Sequence, residues 1–106
     1  MAKLFGRIGP HKISLELVPD IEDAYASYRK QGPKREILIS DLRNQDPKDL
    51  VDSVLHEAVH AAADIYGFED KEILAHTLAA AFTQLFIETG LIEPDQWAKK
   101  LRRARK

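Results

Sequence analysis

Residues 46–67 read DPKDLVDSVLHEAVHAAADIYG, and their pattern decides the fold. Asp46 is a good helix N-cap, Pro47 suits the first helical position, and Asp49 is an acid in the first turn, where the helix dipole favours it. Gly67 can take the left-handed conformation that ends a helix. Between these signals, at about 100° per residue, Leu50, Val51, Val54, Leu55, Ile65 and Tyr66 fall within one arc about 160° wide. That arc is a packing face. His56 and His60 lie on the far side of the helix from it, so they are not core histidines.

His56-Glu57-Ala58-Val59-His60 is an H-E-x-x-H sequence inside this helix. Histidines at i and i+4 share one face about 6 Å apart along the axis, so both can point a nitrogen at one metal ion. The glutamate one residue beyond the first histidine is offset from that face, and its carboxylate can reach a water on the metal. There it can take the water's proton and pass it to a leaving amine. A catalytic zinc needs a third protein ligand and a fourth, open position. Glu72 and His76 are the candidates, one turn apart on the next predicted helix. On that helix Leu74, Leu78, Phe82 and Leu85 mark the expected core side, with Glu72 and His76 at its flank. A turn centred near Phe68 brings His60 level with His76. The residues alone leave the choice between Glu72 and His76 open.

The rest of the chain supplies a small sheet and two further helices. Ile13, Leu15 and Leu17 alternate with Ser14 and Glu16, which predicts a half-buried strand ending before Pro19. A strand over residues 36–39 follows the turn at Gly32-Pro33, and a hairpin across Gly32 is favoured over a helical turn after Pro19. The second helix is expected to start near Glu69 or Asp70 and run to Thr89, with Gly90 as its stop. A third opens at Pro94, with Trp97, Leu101 and Ala104 on one face. Strands first and helices after define an α+β domain: a small, mostly antiparallel sheet of about three strands, two long helices and a short C-terminal helix.

The 106 residues allow one modest core, and the ordinary composition, 44% hydrophobic and 31% charged, excludes a disordered chain. With no cysteine, disulfides and thiolate metal sites are excluded. No signal-peptide core or membrane-length apolar stretch is visible, so a cytoplasmic location is expected. The formal charge of −1 hides an asymmetry. Residues 99–106 hold Lys99, Lys100, Arg102, Arg103, Arg105 and Lys106 and no acid, which leaves the preceding body at −7. The expected division is therefore a domain over residues 1–98 and a basic tail over 99–106. A uniformly basic nucleic-acid binder is disfavoured, although Lys99 to Lys106 could contact nucleic acid as an arm.

On the strand before the helix, the His56-Glu57-Ala58-Val59-His60-Ala61 core and the following Lys71-Glu72-Ile73, the chain resembles the zincin metallopeptidases over roughly residues 11–90. It is most similar to short, single-domain gluzincin-type proteins related to the ImmA/IrrE peptidase group, many of them encoded by bacteriophages. The resemblance implies His56, His60 and Glu72 as zinc ligands, with His76 as substitute or support, and Glu57 as general base of peptide hydrolysis. It also implies a peptide or protein substrate held along an edge strand around Ile37, Leu38 and Ile39, and an origin in a phage acting in the host cytoplasm. Larger zincins stabilise the oxyanion with a downstream tyrosine or histidine; Tyr28, Tyr66 and His76 are the candidates here. The competing expectation is a zinc-holding interaction module with little or no catalysis. A further one is a tail that lies over the acidic body and blocks the cleft.

Overall fold

A computed structural model describes residues 3–105; Met1, Ala2 and Lys106, the last basic residue of the tail, lie outside it. Four strands and three helices follow in order: β1 (Leu4–Ile8), β2 (His11–Val18), β3 (Ala26–Gln31), β4 (Lys34–Ser40), α1 (Pro47–Tyr66), α2 (Glu72–Glu88) and α3 (Pro94–Arg105). The domain is α+β, as the order of patterns predicts.

Two Gly-Pro turns build the sheet. Gly9 and Gly32 both have positive φ, at 57° and 58°, and each precedes a proline. Glycine in the first central position followed by proline suits the tight turn of a two-residue hairpin. The first turn joins β1 to β2 with Ile8 opposite His11, and the second joins β3 to β4 with Gln31 opposite Lys34. Between the hairpins, β2 and β4 pair in parallel, Leu15 opposite Ile37 and Leu17 opposite Ile39, so the strand order is β1-β2-β4-β3. The sheet therefore has four strands rather than three and is mixed, two of its three pairings being antiparallel. β1 escapes the sequence pattern because Gly6 interrupts the alternation of Leu4 and Ile8.

This order corrects the expected edge strand. Ile37, Leu38 and Ile39 lie in β4, which is paired on both sides. The edge on that side of the sheet is β3. Ser40 N–H donates to the Tyr25 carbonyl at 2.9 Å. In an antiparallel ladder this alternation turns the backbone groups of Ser27 and Arg29 toward β4 and those of Ala26, Tyr28 and Lys30 outward.

The core lies between one face of the sheet and α1 and α3. Ile13, Leu17, Ile37 and Ile39 meet Leu50 and Val54 of α1 and Ala98 and Leu101 of α3. Asp46 caps α1 by accepting from Lys48 N–H, and Gly67 ends it with φ 78°. The basic stretch continues α3 up to Arg105. Leu101 lies in the core, and Arg102 donates to Asp41 at 3.2 Å.

α2 packs chiefly on α1, and its inward stripe is not the expected one. Ala75, Ala79 and Thr83 are buried, whereas Leu74, Phe82 and Leu85 are exposed. The alanines allow close approach of the two helices, and the bulkier residues are left outside. The second helix also starts later than expected, at Glu72, because Lys71 is its N-cap residue. Among the described residues no helix is long and apolar enough to cross a membrane.

A polar network locks α1 to the strand ends. Asn44 is fully buried. Its Nδ2 donates to the carbonyls of Tyr25 at 2.8 Å and Ser40 at 2.7 Å, and its Oδ1 accepts from Ser53 Oγ at 2.7 Å. Nearby, Asp20 Oδ1 accepts from Ser40 Oγ at 2.9 Å, Ile21 N–H at 2.8 Å and Arg43 Nε at 3.3 Å. The Ser40 hydroxyl, the Ile21 N–H and the Arg43 charge hold the Asp20 carboxyl below its ordinary value of 3.8.

Three outcomes are expected. Leu50→Ala removes a fully buried side chain and costs about 2–5 kcal/mol in denaturant unfolding. Leu85→Ala, at a site 53% exposed, costs less than about 1 kcal/mol. Because the folded pKa of Asp20 is depressed, its contribution is present above about 3.8 and is lost as pH falls through the folded value. The melting temperature of the wild type should therefore fall more steeply in that acid range than that of Asp20→Asn.

Candidate metal centre

His56, Glu57 and His60 each offer a ligand atom, and these atoms lie within 4.8 Å of one another. Their cluster follows from the rotation of α1. With Leu50 and Val54 seated on the sheet, His56 and His60 project on the open side, their ring centroids 5.0 Å apart. Glu57 sits between these two faces, 8% exposed, beneath β3. The Tyr28 backbone N–H, on the outward edge of β3, faces its carboxylate. Burial raises the Glu57 pKa above its usual value, against the lowering effect of the two histidines and of the Tyr28 N–H.

The open choice between Glu72 and His76 now has a geometric setting. The contacts between α1 and α2 set the register, and it differs from the one in which His60 stands level with His76. That register brings His60 level with Glu72 and His56 level with His76. The Glu72 carboxylate spans both histidines, Oε1 at 2.5 Å from His56 Nε2 and Oε2 at 3.0 Å from His60 Nε2. His76 stands beside His56, ring centroids 6.5 Å apart, and is exposed. Glu72 is also in the first turn of α2, so one side chain complements the helix dipole and faces the histidines.

Asp70 is a site residue that the sequence pattern did not single out. Its Oδ1 lies 2.6 Å from His60 Nδ1. A carboxylate on one ring nitrogen orients the imidazole and leaves the other nitrogen as the donor to a metal. Burial opposes charging His60, but the Asp70 hydrogen bond and charge, with Glu57 and Glu72, outweigh it and raise the pKa. Placing the second helix from Glu69 or Asp70 concealed this role, because it put Asp70 inside a helix rather than in the turn. The available signal was an acid in the turn directly after the second histidine's helix.

Two of the three oxyanion candidates are engaged elsewhere. Tyr28 Oη donates to Asp64 at 2.7 Å, and burial followed by this carboxylate pushes its pKa up to about 12. The Tyr66 ring packs over Gly9 at the β1–β2 turn, where an added Cβ would come within 3.1 Å of the hydroxyl. Only His76 stands beside the cluster.

An open cleft of about 480 Å³ runs past the cluster, lined by Tyr25, Ala26, Asp52, His56, Glu57 and Glu72 among others. Nitrogen and carboxylate donors converging in a cleft suit a divalent metal ion, and the His56, Glu57 and His60 group can hold one. Comparison with protein-family models, curated proteins and solved structures finds no match. The class of this site therefore rests on its own geometry.

Asp70→Asn should keep the fold and weaken metal binding by about 10–100-fold, read by competition with a chelating dye. Unchanged affinity would remove Asp70 from the site.

Proposed function

We propose that the chain is a zinc-dependent, metallopeptidase-like hydrolase of the zincin type, with His56, His60 and Glu72 as ligands and Glu57 as general base. One observation carries this reading: the single Glu72 carboxylate reaches Nε2 of both histidines, at 2.5 and 3.0 Å. Two imidazoles and a carboxylate form the donor set of catalytic zinc, which keeps a further position for water or substrate. Zinc held there supplies Lewis acidity, which makes water a nucleophile near neutral pH and polarises a carbonyl.

The chain's own residues supply the rest. Glu57 has a raised proton affinity through burial, which suits a carboxylate that accepts a proton from the attacking water and returns it to the leaving amine nitrogen. His76, exposed beside His56, is placed to donate to the carbonyl oxygen as negative charge develops. A peptide substrate would lie along the outward edge of β3, at Ala26 and Lys30, by strand addition.

A second reading, a zinc-holding interaction module without catalysis, is favoured by the openness of the site. The Glu72 side chain is 72% exposed. The two readings separate in one experiment. Purified protein should carry about one equivalent of zinc, lost in His56→Ala and His60→Ala. Glu57→Gln should keep the zinc and lower cleavage of a peptide library by about 10²–10⁴-fold. A zinc-loaded wild type as inactive as Glu57→Gln selects the interaction module. A folded wild type that takes up no zinc overturns both.

A further inference from the structure

A second groove, of about 750 Å³, lies between β1 and α3, apart from the metal centre. Its floor is apolar: Leu4, Leu15, Val54 and Leu101, with Trp97 at one wall. Its rim is basic. Lys99, Lys100 and Arg103 line it, and no acidic residue does. These three cations fall within about 100° of one another around α3. Among the described residues none of them has an ion-pair partner, in contrast to Arg102, which is held by Asp41.

One wall of the groove is the edge of the sheet. β1 pairs only with β2, and the Gly9-Pro10 turn sets Ile8 opposite His11. From that closing pair the antiparallel alternation turns the backbone N–H and C=O groups of Arg7 and Phe5 away from β2, outward. The site thus combines free strand-edge hydrogen-bonding groups, an apolar trench and a row of unpaired cations.

We infer that this groove docks an extended acidic segment of a partner protein, one whose apolar and acidic side chains share the strand face turned toward α3. Such a segment adds to β1 through its backbone and sets its apolar side chains on Leu4, Leu15 and Trp97. Its carboxylates meet Lys99, Lys100 and Arg103. Charge complementarity selects this occupant. A membrane surface is disfavoured because the apolar side of α3, Ala98 and Leu101, is already buried in the core. A polynucleotide is disfavoured because the rest of the chain is acidic and because a phosphate backbone gains nothing from an apolar trench.

Trp97 is the only tryptophan in the chain, so its fluorescence reports on the groove directly. The probe is the synthetic octapeptide Leu-Ser-Glu-Ser-Leu-Ser-Glu-Ser, which sets leucine and glutamate on one face of a strand, titrated into the full chain at low salt. The expected result is a saturable shift of Trp97 emission to shorter wavelength, with Kd raised at least about 10-fold by K100E/R103E. Both substituted residues are exposed, and circular dichroism checks that the fold is kept. The same peptide methylated on alternate backbone nitrogens should lose binding to the unaltered protein, which tests the strand-edge contacts without any substitution. The proposal is overturned by the absence of a spectral change, by equal binding of the same octapeptide with lysine in place of glutamate, or by a Kd indifferent to charge reversal. Tighter binding of a single-stranded oligonucleotide or of anionic vesicles than of the acidic peptide would likewise overturn it and assign the cations to that ligand.

Discussion

The seating of α1 on the sheet is the contact on which the other features depend. Leu50 and Val54 enter the space between β2, β4 and α3, and each such buried side chain contributes roughly 1.5–3 kcal/mol. Apolar contact sets the depth of the helix but not its rotation, which polar bonds fix at both ends. At the N-terminal end, Ser53 donates to Asn44, which in turn holds the carbonyls of Tyr25 and Ser40. At the C-terminal end, Asp64 takes the Tyr28 hydroxyl at 2.7 Å and faces Arg35 and Lys30 at 3.5 and 3.6 Å. A helix rotated by one residue, about 100°, would break both sets and carry His56 and His60 away from the cleft.

The same seating places Glu57 under β3. Tyr28 joins the two elements through its hydroxyl, which donates to Asp64, and its backbone N–H faces Glu57. The edge strand is thereby tied to the helix two turns from Glu57, whose own side chain is buried between them. The near-neutral total charge also gains a spatial meaning. Carboxylates gather at the cleft past the histidines, whereas unpaired cations line the groove beside β1. Two surfaces of opposite character sum to a charge of −1 that describes neither.

Much of the fold was legible because it is encoded locally. Asp46, Pro47 and Gly67 bound α1 as their chemistry predicts, and Gly32-Pro33 makes the expected hairpin. Where the sequence reading departed from the structure, the deciding factor was non-local. The apolar stripe Leu74, Leu78, Phe82 and Leu85 is periodic enough to pass for a core face, yet close approach of α1 favours the smaller Ala75 and Ala79. Ile37 and Ile39 read as a strand, but nothing within that strand states that β2 and β3 would flank it.

The sequence by itself determined the helix that carries His56, Glu57 and His60, the face on which the two histidines stand and the α+β order of elements. These depend on caps, turns and periodicities that act within one or two turns of chain. Only the tertiary structure decided that Glu72 rather than His76 spans both histidines, that Asp70 orients His60, and that β3 forms the edge beside the cleft. Each of these depends on the register between elements distant in sequence, and that register is set by how side chains of particular volume pack together, which no local pattern contains.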